Sequence, residues 1–232
     1  MISVVIPTLN AEARLAQTLA ALVPAAVDGL VTEVIVADGG STDRTAQIAD
    51  ETGATLVKCS GGRGQQLRAG ADGSRFPWLL FLHADTDLEP GWEREAMGFM
   101  EAVDRGKRTP AAAAFRFALD DSGFSPRLLE RLVGLRCALL RLPYGDQGLL
   151  MPRSLYAETG GFAPIALMED VDMTRRLGRR RIALLRTRAV TSALRYRRDG
   201  YLRRSLRNQL CLMLYFLGVP PTAIGRIYNR GS

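Results

Sequence analysis

The sequence predicts an α/β protein: a Rossmann-like, mostly parallel sheet flanked by helices, with further helices at the C-terminal end. Three observations predict it. Short runs of branched apolar residues alternate with helical periodicity over the first 90 residues, which implies right-handed βαβ units. Polar motifs follow those runs, where the carboxyl ends of parallel strands form a ligand crevice. The composition, 47% hydrophobic and 24% charged over 232 residues, is that of a globular chain able to bury a core without disulfides.

The elements follow in order. Ile2 to Pro7 reads as a buried strand. Ala11 to Val23 has helical spacing, with Leu15, Leu19 and Leu22 on one face and Asn10 as the N-cap. Glu33 to Ala37 is a second strand, and Gly39 to Asp43 opens a helix through Ser41 or Thr42 that runs to Thr52. Ala54 to Lys58 is a third strand, followed by the loop Gly61-Gly-Arg-Gly64 and a helix to Ala71. Trp78 to Leu82 is a fourth, ending in His83-Ala-Asp-Thr-Asp87. Later segments are less regular. A strand is expected over Ala111 to Leu119, an amphipathic helix over Pro126 to Leu142, a tight loop over Pro143 to Gly148 and a helix opening at Glu169. Ile182 to Leu185 and Val190 to Leu194 suggest a hairpin, and two helices near Tyr201 to Leu217 and Pro221 to Tyr228 finish the chain.

Charge is unevenly spread. The net charge is +7, yet Arg175 to Ser232 holds 15 arginines against one acid, Asp199, while the preceding residues are net acidic. Such asymmetry points to an anionic partner for the C-terminal part. Arg195, Arg197, Arg198, Arg203, Arg204 and Arg207 flank the apolar run that begins at Leu210, a pattern that suits interfacial binding, packing on the domain or a homodimer contact. That run is half of the roughly 20 residues a membrane span needs. The three cysteines are widely spaced and no signal peptide is visible, so the expected location is cytoplasmic, with peripheral contact at the inner face of the plasma membrane. His83 is the only histidine, so any metal must be held chiefly by carboxylates.

Asp85 and Asp87, two residues apart at a strand end, form a pair that could face one hard cation bridging to a diphosphate. Asp38 follows a buried strand and could accept a hydrogen bond from a nucleobase N–H, or cap the next helix. The glycines around Arg63 permit close backbone approach, and its guanidinium suits phosphate. Asp170, just inside a helix, is placed to act as a general base, with Glu169 orienting it or binding sugar hydroxyls; helix capping is the alternative for both. Asp172 is expected to face away. Asp146 and Gln147 are suited to sugar hydroxyls or to a structural turn, and His83 to a satisfied buried position.

With these residues in hand, the sequence resembles the family 2 glycosyltransferases of the GT-A (nucleotide-diphospho-sugar transferase) fold. Val4-Val-Ile-Pro-Thr-Leu-Asn10, Ala37-Asp-Gly-Gly-Ser-Thr-Asp43, His83-Ala-Asp-Thr-Asp87 and Glu169-Asp170 stand in the family's order, over roughly residues 2–195. The Gly145 to Gly148 loop and the short length resemble a bacterial branch known as radical-SAM or selenodomain-associated transferases. The resemblance implies that Pro7, Thr8 and Leu9 line a base pocket, that Asp38 binds the base and that Arg63 lies near the nucleotide. Asp85 and Asp87 would hold Mn²⁺ or Mg²⁺ on the diphosphate, Asp87 being the stronger candidate. Asp170 would be the base of an inverting transfer to an acceptor hydroxyl. The family often has Glu after the Asn of its first motif; here Ala11 stands there, with Glu12 next.

The expected organisation is a transferase domain over residues 1–195, with a nucleotide-binding half over 1–90 and an acceptor half over 91–195, and a basic amphipathic helical segment over 196–232. The expected activity is transfer of one sugar from a nucleotide-sugar, uridine-based, to an acceptor that is lipid-linked or anionic. The processive Q-x-x-R-W motif is absent. A sugar-phosphate nucleotidyltransferase would need a glycine-rich phosphate loop after the first strand, where Pro7-Thr-Leu-Asn10 stands instead. A non-catalytic membrane or nucleic-acid adaptor on the same scaffold would have no need of Asp85 and Asp87. No nucleic-acid partner is expected.

Overall fold

Successive residues of the first strand, β1 (Ile2–Thr8), enter opposite faces of a sheet that is buried on both. Val4 and Ile6 join one apolar cluster and Val5 the other, which is why the run is apolar without alternation. The computed structural model describes residues 1–109 and 111–229. After β1 come α1 (Leu15–Ala20), α2 (Val23–Val27), β2 (Val31–Asp38), α3 (Thr45–Glu51), β3 (Thr55–Lys58), α4 (Arg63–Gly73), β4 (Trp78–Phe81) and β5 (Thr86–Leu88). The second half adds α5 (Trp92–Asp104), β6 (Ala112–Leu119), α6 (Phe124–Leu140), β7 (Leu149–Pro152), α7 (Arg153–Glu158), α8 (Glu169–Leu177), β8 (Ile182–Thr191), α9 (Leu194–Asp199), α10 (Tyr201–Phe216) and α11 (Pro221–Asn229).

The strands form one sheet in the order β3-β2-β1-β4-β7-β6-β8-β5. The β3, β2, β1 and β4 strands run parallel, as the βαβ pattern requires. β7 is antiparallel to both its neighbours, and β5 is antiparallel to β8, so the sheet is mixed. The expected hairpin after Ile182 is instead the single strand β8, parallel to β6. Leu185-Arg-Thr-Arg-Ala-Val offers none of the Gly or Asn residues that a tight hairpin turn needs.

The expected helix over Ala11 to Val23 is divided into α1 and α2, with Pro24 in the first turn of α2. Asn10 does not cap it. At φ +52° its N–H donates to Ser41 Oγ (2.8 Å), and its Oδ1 accepts from the Thr42 N–H (2.9 Å). The Glu12 N–H donates to Asp43 Oδ2 (3.0 Å), while Glu12 Oε2 accepts from the Arg44 N–H (3.0 Å). The loops after β1 and β2 are thus laced together. Ser41 and Thr42 serve this lacing and leave α3 to begin at Thr45, where Asp43 Oδ1 takes the Thr45 N–H (3.0 Å).

Glycines let α4 lie close to the sheet and to the loop before α8. A Cβ on Gly70 would meet Val5 Cγ1 at 2.4 Å, and one on Gly64 would meet the carbonyl oxygens of Ala163 and Ile165 at 2.1 and 2.6 Å. The division at residue 195 falls inside α9, and α10 and α11 pack back towards the sheet's carboxyl edge rather than standing apart. Among the described residues no helix is long and apolar enough to cross a membrane.

Two glycine substitutions should separate packing from propensity. Gly64→Ala forces a backbone contact apart and should lower unfolding free energy by about 1–3 kcal/mol. Gly98, exposed within α5 with nothing near its missing Cβ, should give about 0.5–1 kcal/mol of added stability as Gly98→Ala. Urea titrations of both variants check the signs.

Candidate active site

Three segments distant in sequence meet beyond the carboxyl end of β4. His83 and Asp85 follow that strand, a 3-10 turn over Gly145–Gln147 precedes β7, and Glu169 and Asp170 open α8. The Gly145 N–H donates to Asp170 Oδ2 at 2.7 Å. Gly145 also lies against the His83 ring, where a Cβ would come within 2.5 Å of Nε2. No larger residue could bring the turn, the ring and the carboxylate together. Met168 takes a left-handed φ of +66° just before α8, a conformation costly for a non-glycine residue, and from there the chain places Glu169 inward.

Together these segments line a cleft of about 130 Å³. Arg63, His83, Asp146, Glu169 and Asp170 form one wall, and Asn208, Leu212 and Tyr228 of the C-terminal helices form the other. Arg63 Nε lies 3.6 Å from Glu169 Oε1. Burial, opposed by Arg63 and aided by Asp170, pushes the Glu169 carboxyl up to about 7. Burial likewise pushes Asp146 up to about 6, against Arg136 and with the charges of Asp170 and Asp85. His83 is held well below its usual range by burial and by the charges of Arg63 and Arg195, so the ring is neutral. Three polar atoms at the cleft have no protein partner: Tyr144 OH, Asp146 Oδ1 and Asn208 Oδ1. Buried groups of this kind normally find partners, so a polar ligand is the economical explanation.

The expected site residues divide into those the fold gathers and those it does not. Asp85, Asp146, Glu169 and Asp170 share the electrostatic surroundings of Arg63. Asp172 turns outward to Arg176 (2.6 Å). Asp87 does not join the group. It lies on β5, and its carboxylate accepts from Gln17 Nε2 (2.5 Å) and Thr18 Oγ1 (3.2 Å) of α1. Its neighbour Thr86 bonds instead to Thr191, which reaches the Asp146 carbonyl. Alternation along β5 therefore sends Thr86 towards the turn and Asp87 away from it, and the two-carboxylate clamp is not formed. Gln147 is likewise a scaffold residue rather than a sugar ligand. Its Nε2 donates to the Phe115 carbonyl (2.9 Å) and its Oε1 accepts from Cys137 Sγ (3.2 Å) and the Tyr144 N–H (3.3 Å).

Pro7 and Thr8 lie in the buried β1, and Leu9 is exposed beyond it. Asp38 is buried, accepting from Ser41 Oγ, from the Ser41 and Gly40 N–H groups (2.9 and 3.1 Å) and from Thr8 Oγ1 (3.1 Å). Burial pushes its carboxyl up, but these donors outweigh burial and hold it below the usual range. They occupy roughly the four lone-pair positions of a carboxylate. Sequence reasoning missed Tyr144, which stacks under the Arg136 guanidinium at 3.5 Å, and it missed Asn208 and Tyr228. None stands in a recognisable motif; only the tertiary packing of the turn after α6 and of α10 and α11 brings them to the cleft.

The donors suit a hard divalent cation shared with a ligand's phosphates. Among the described residues no three His, Cys, Asp or Glu side chains form a complete metal cage. Magnesium and manganese sites on nucleotides commonly use one or two carboxylates, with phosphates and water completing the shell. Asp85 meets that need: its carboxylate is partly exposed, and the neutral His83 ring stands off with its Nδ1 4.0 Å away.

Known proteins resemble this chain in sequence and in fold. The sequence pattern of the family described as Glycosyl transferase family 2 matches residues 3–134. The glycosyltransferase AglJ of Haloferax volcanii is 37% identical over 90 residues, which are 38% of this chain and 28% of that protein. A PGL/p-HBAD biosynthesis glycosyltransferase of Mycobacterium bovis is 35% identical over 101 residues, 38% of this chain and 36% of that one. This chain thus spans about a third or less of the length of these two relatives. Among solved structures, glucosyl-3-phosphoglycerate synthase from Mycobacterium tuberculosis, in complex with Mn²⁺, UDP and glucosyl-3-phosphoglycerate, superposes with a TM-score of 0.64 at 26% identity. That superposition covers 95% of this chain and 81% of the other.

The raised Glu169 carboxyl has a measurable sign. Its value of about 7 lies above the ordinary 4.5, so the unfolded chain releases this proton first as pH rises. The stabilising difference is fully present below the ordinary value and is lost as pH rises through the folded one. The melting temperature of the wild type, relative to Glu169→Gln, should therefore fall between about pH 4.5 and pH 7.5 and then level off. A difference that stays flat, or rises, across that window contradicts the assignment.

Proposed function

The chain belongs to glycosyl transferase family 2, and on that premise we propose that it moves a single sugar from a nucleoside-diphosphate donor to an acceptor hydroxyl, with inversion at the anomeric carbon. The observation that carries this reading is the convergence of Asp85, Asp146, Glu169 and Asp170 around Arg63, in a cleft that leaves three polar atoms without partners. A uridine donor is favoured because the structurally similar glucosyl-3-phosphoglycerate synthase is seen with UDP and Mn²⁺.

In this reading the base sits beside Pro7, Thr8 and Asp38, where Asp38 exchanges the Ser41 hydroxyl for a base N–H. Arg63, held by Glu169, faces the diphosphate. The acceptor hydroxyl attacks the anomeric carbon from the side opposite the diphosphate, and the bond from that carbon to the phosphate oxygen breaks. Asp170 takes the hydroxyl proton, its other contact with the Gly145 N–H keeping the carboxylate aimed. Asp146 and Asn208 offer the unpartnered oxygens to sugar or acceptor hydroxyls. A divalent metal on Asp85 would supply charge neutralisation to the departing diphosphate. The neutral His83 packs against the turn that carries Gly145.

Three variants test the roles. Asp170→Asn should lower turnover of a UDP-sugar by about 10²- to 10⁴-fold while UDP still raises the melting temperature. Asp85→Ala should lose the Mn²⁺-dependent part of that stabilisation. Asp87→Asn, turned towards α1, should keep it. If GDP stabilises the protein with Mn²⁺ and UDP does not, the uridine assignment fails.

A further inference from the structure

Two helices carry apolar stripes that the fold leaves uncovered. On α6 these are Phe124, Leu128, Leu132, Leu135 and Leu139, from 43% to 80% exposed. On α10 and its first following residue they are Leu202, Leu206, Leu210, Met213 and Leu217, from 42% to 74% exposed. Both sets repeat at the helical spacing of four, four, three and four residues, so each forms one continuous face. Their opposite faces are already used: Leu129, Val133 and Cys137 of α6 turn inward, as do Arg204 and Cys211 of α10. A monomer rarely leaves so much contiguous apolar surface to water.

The two helices are held to common anchors. Near their starts, Leu129 and Val133 pack on the same small cluster as Tyr201. Near their ends, Arg179 donates to the Leu139 carbonyl, and Arg175 of α8 lies over the Tyr215 and Phe216 rings at 5.8 and 5.1 Å. Both helices bear on the cleft: Tyr144, which lies under Arg136 of α6, lines it, as do Asn208 and Leu212 of α10.

Charge selects the occupant. α10 contains no acidic residue, and the one acid of α6, Glu130, is used by Arg127 and the Leu119 N–H (2.9 Å). Arg131 and Arg203 are exposed beside the stripes with no acidic partner among the described residues. A second copy meeting this face about a two-fold axis would bring like-charged arginines together, whereas paired helices normally flank their apolar seam with opposite charges. An anionic bilayer satisfies both features, taking the leucines at the headgroup–acyl boundary and the arginines on lipid phosphates.

We infer that α6 and α10 together form a docking face for an anionic membrane surface, with the mouth of the cleft held at the interface. An acceptor hydroxyl carried on a lipid headgroup would then enter the cleft without leaving the membrane plane. That consequence rests on the transferase reading; the docking itself does not, and it is tested without nucleotide.

The full chain should co-sediment with vesicles of phosphatidylcholine containing phosphatidylglycerol, and about tenfold less with pure phosphatidylcholine or at high salt. The pairs Leu132→Gln with Leu135→Gln, and Leu206→Gln with Met213→Gln, should each weaken binding about tenfold at unchanged melting temperature. Arg131→Glu and Arg203→Glu should each cost about fivefold on anionic vesicles alone. As a check independent of folding losses, Leu132→Trp and Leu206→Trp should each give blue-shifted emission on anionic vesicles. Absence of sedimentation, equal binding to neutral and anionic vesicles, or unshifted emission from either tryptophan would overturn the inference. So would a concentration-dependent dimer in light scattering that the same leucine changes dissolve, since the face would then belong to a second copy.

Discussion

The contact of the Gly145 backbone with Asp170 and His83 is the constraint on which the site depends. It joins the end of β4, the turn before β7 and the start of α8, three segments that the chain separates by tens of residues. A hydrogen bond of 2.7 Å from a backbone N–H to a carboxylate is charge-assisted and directional. It works here only because the neighbouring side is a hydrogen atom rather than a Cβ. The same close approach buries His83 and keeps its ring neutral, so the wall of the cleft gains no positive charge that would compete with Arg63 for the acids.

That charge balance is uneven by construction. Asp85, Asp146, Glu169 and Asp170 share surroundings in which Arg63 is the common counter-charge, with Arg136 acting more strongly on Asp146. Burial, aided by mutual repulsion, raises Asp146 and Glu169 towards neutrality, which limits the cost but does not remove it. The N-terminus of α8 offsets some of the remainder, since the helix dipole favours acids in its first turn. What remains is a site that gains from added positive charge and from donors for its unpartnered oxygens. A nucleotide-sugar carrying a divalent cation brings both at once, which ties the electrostatics of the cleft to the proposed substrate.

Much of this was legible in the sequence because local patterns carry it. The apolar runs of β1, β2 and β4 and the glycines of α4 specify the parallel half of the sheet, since each strand buries both faces and each crossover needs little room. The pairing of Glu169 with Asp170 at a helix start was also local information. Asp85 and Asp87 show where that information ends. Their spacing fits a shared cation if both lie in a turn, but Thr86 already belongs to β5, and one residue of strand reverses the direction of Asp87. Gln147 falls to its structural-turn alternative for a related reason. Its polar amide looks available in the sequence, yet burial against Phe115 and Cys137 uses it up. Tyr144 and Asn208 were silent because they reach the cleft through packing alone.

The C-terminal helices show how one element can serve two surfaces. Counting from Leu202, every third or fourth residue of α10 faces outward and is apolar, while Arg204, Asn208 and Cys211 face the domain. Arg204 is buried against Asp199 at 3.0 Å and beside the Tyr196 and Tyr228 rings. Arg198 holds the other oxygen of that carboxylate at 2.8 Å and Arg207 shares the first at 2.7 Å, and the three guanidinium groups, Arg198 foremost, hold Asp199 far below the usual range. The basic excess that the sequence displays as one block is therefore divided by the fold. Part of it is spent inside, fixing α9, α10 and α11 to one another through the single acid available. Others pair elsewhere on the domain, as Arg197 does with Asp120 and Arg176 with Asp172, while Arg203 lies outside beside the exposed leucines of α10. Since the inner face of the same helix walls the cleft through Asn208, whatever orders its outer face also bears on the geometry of that wall.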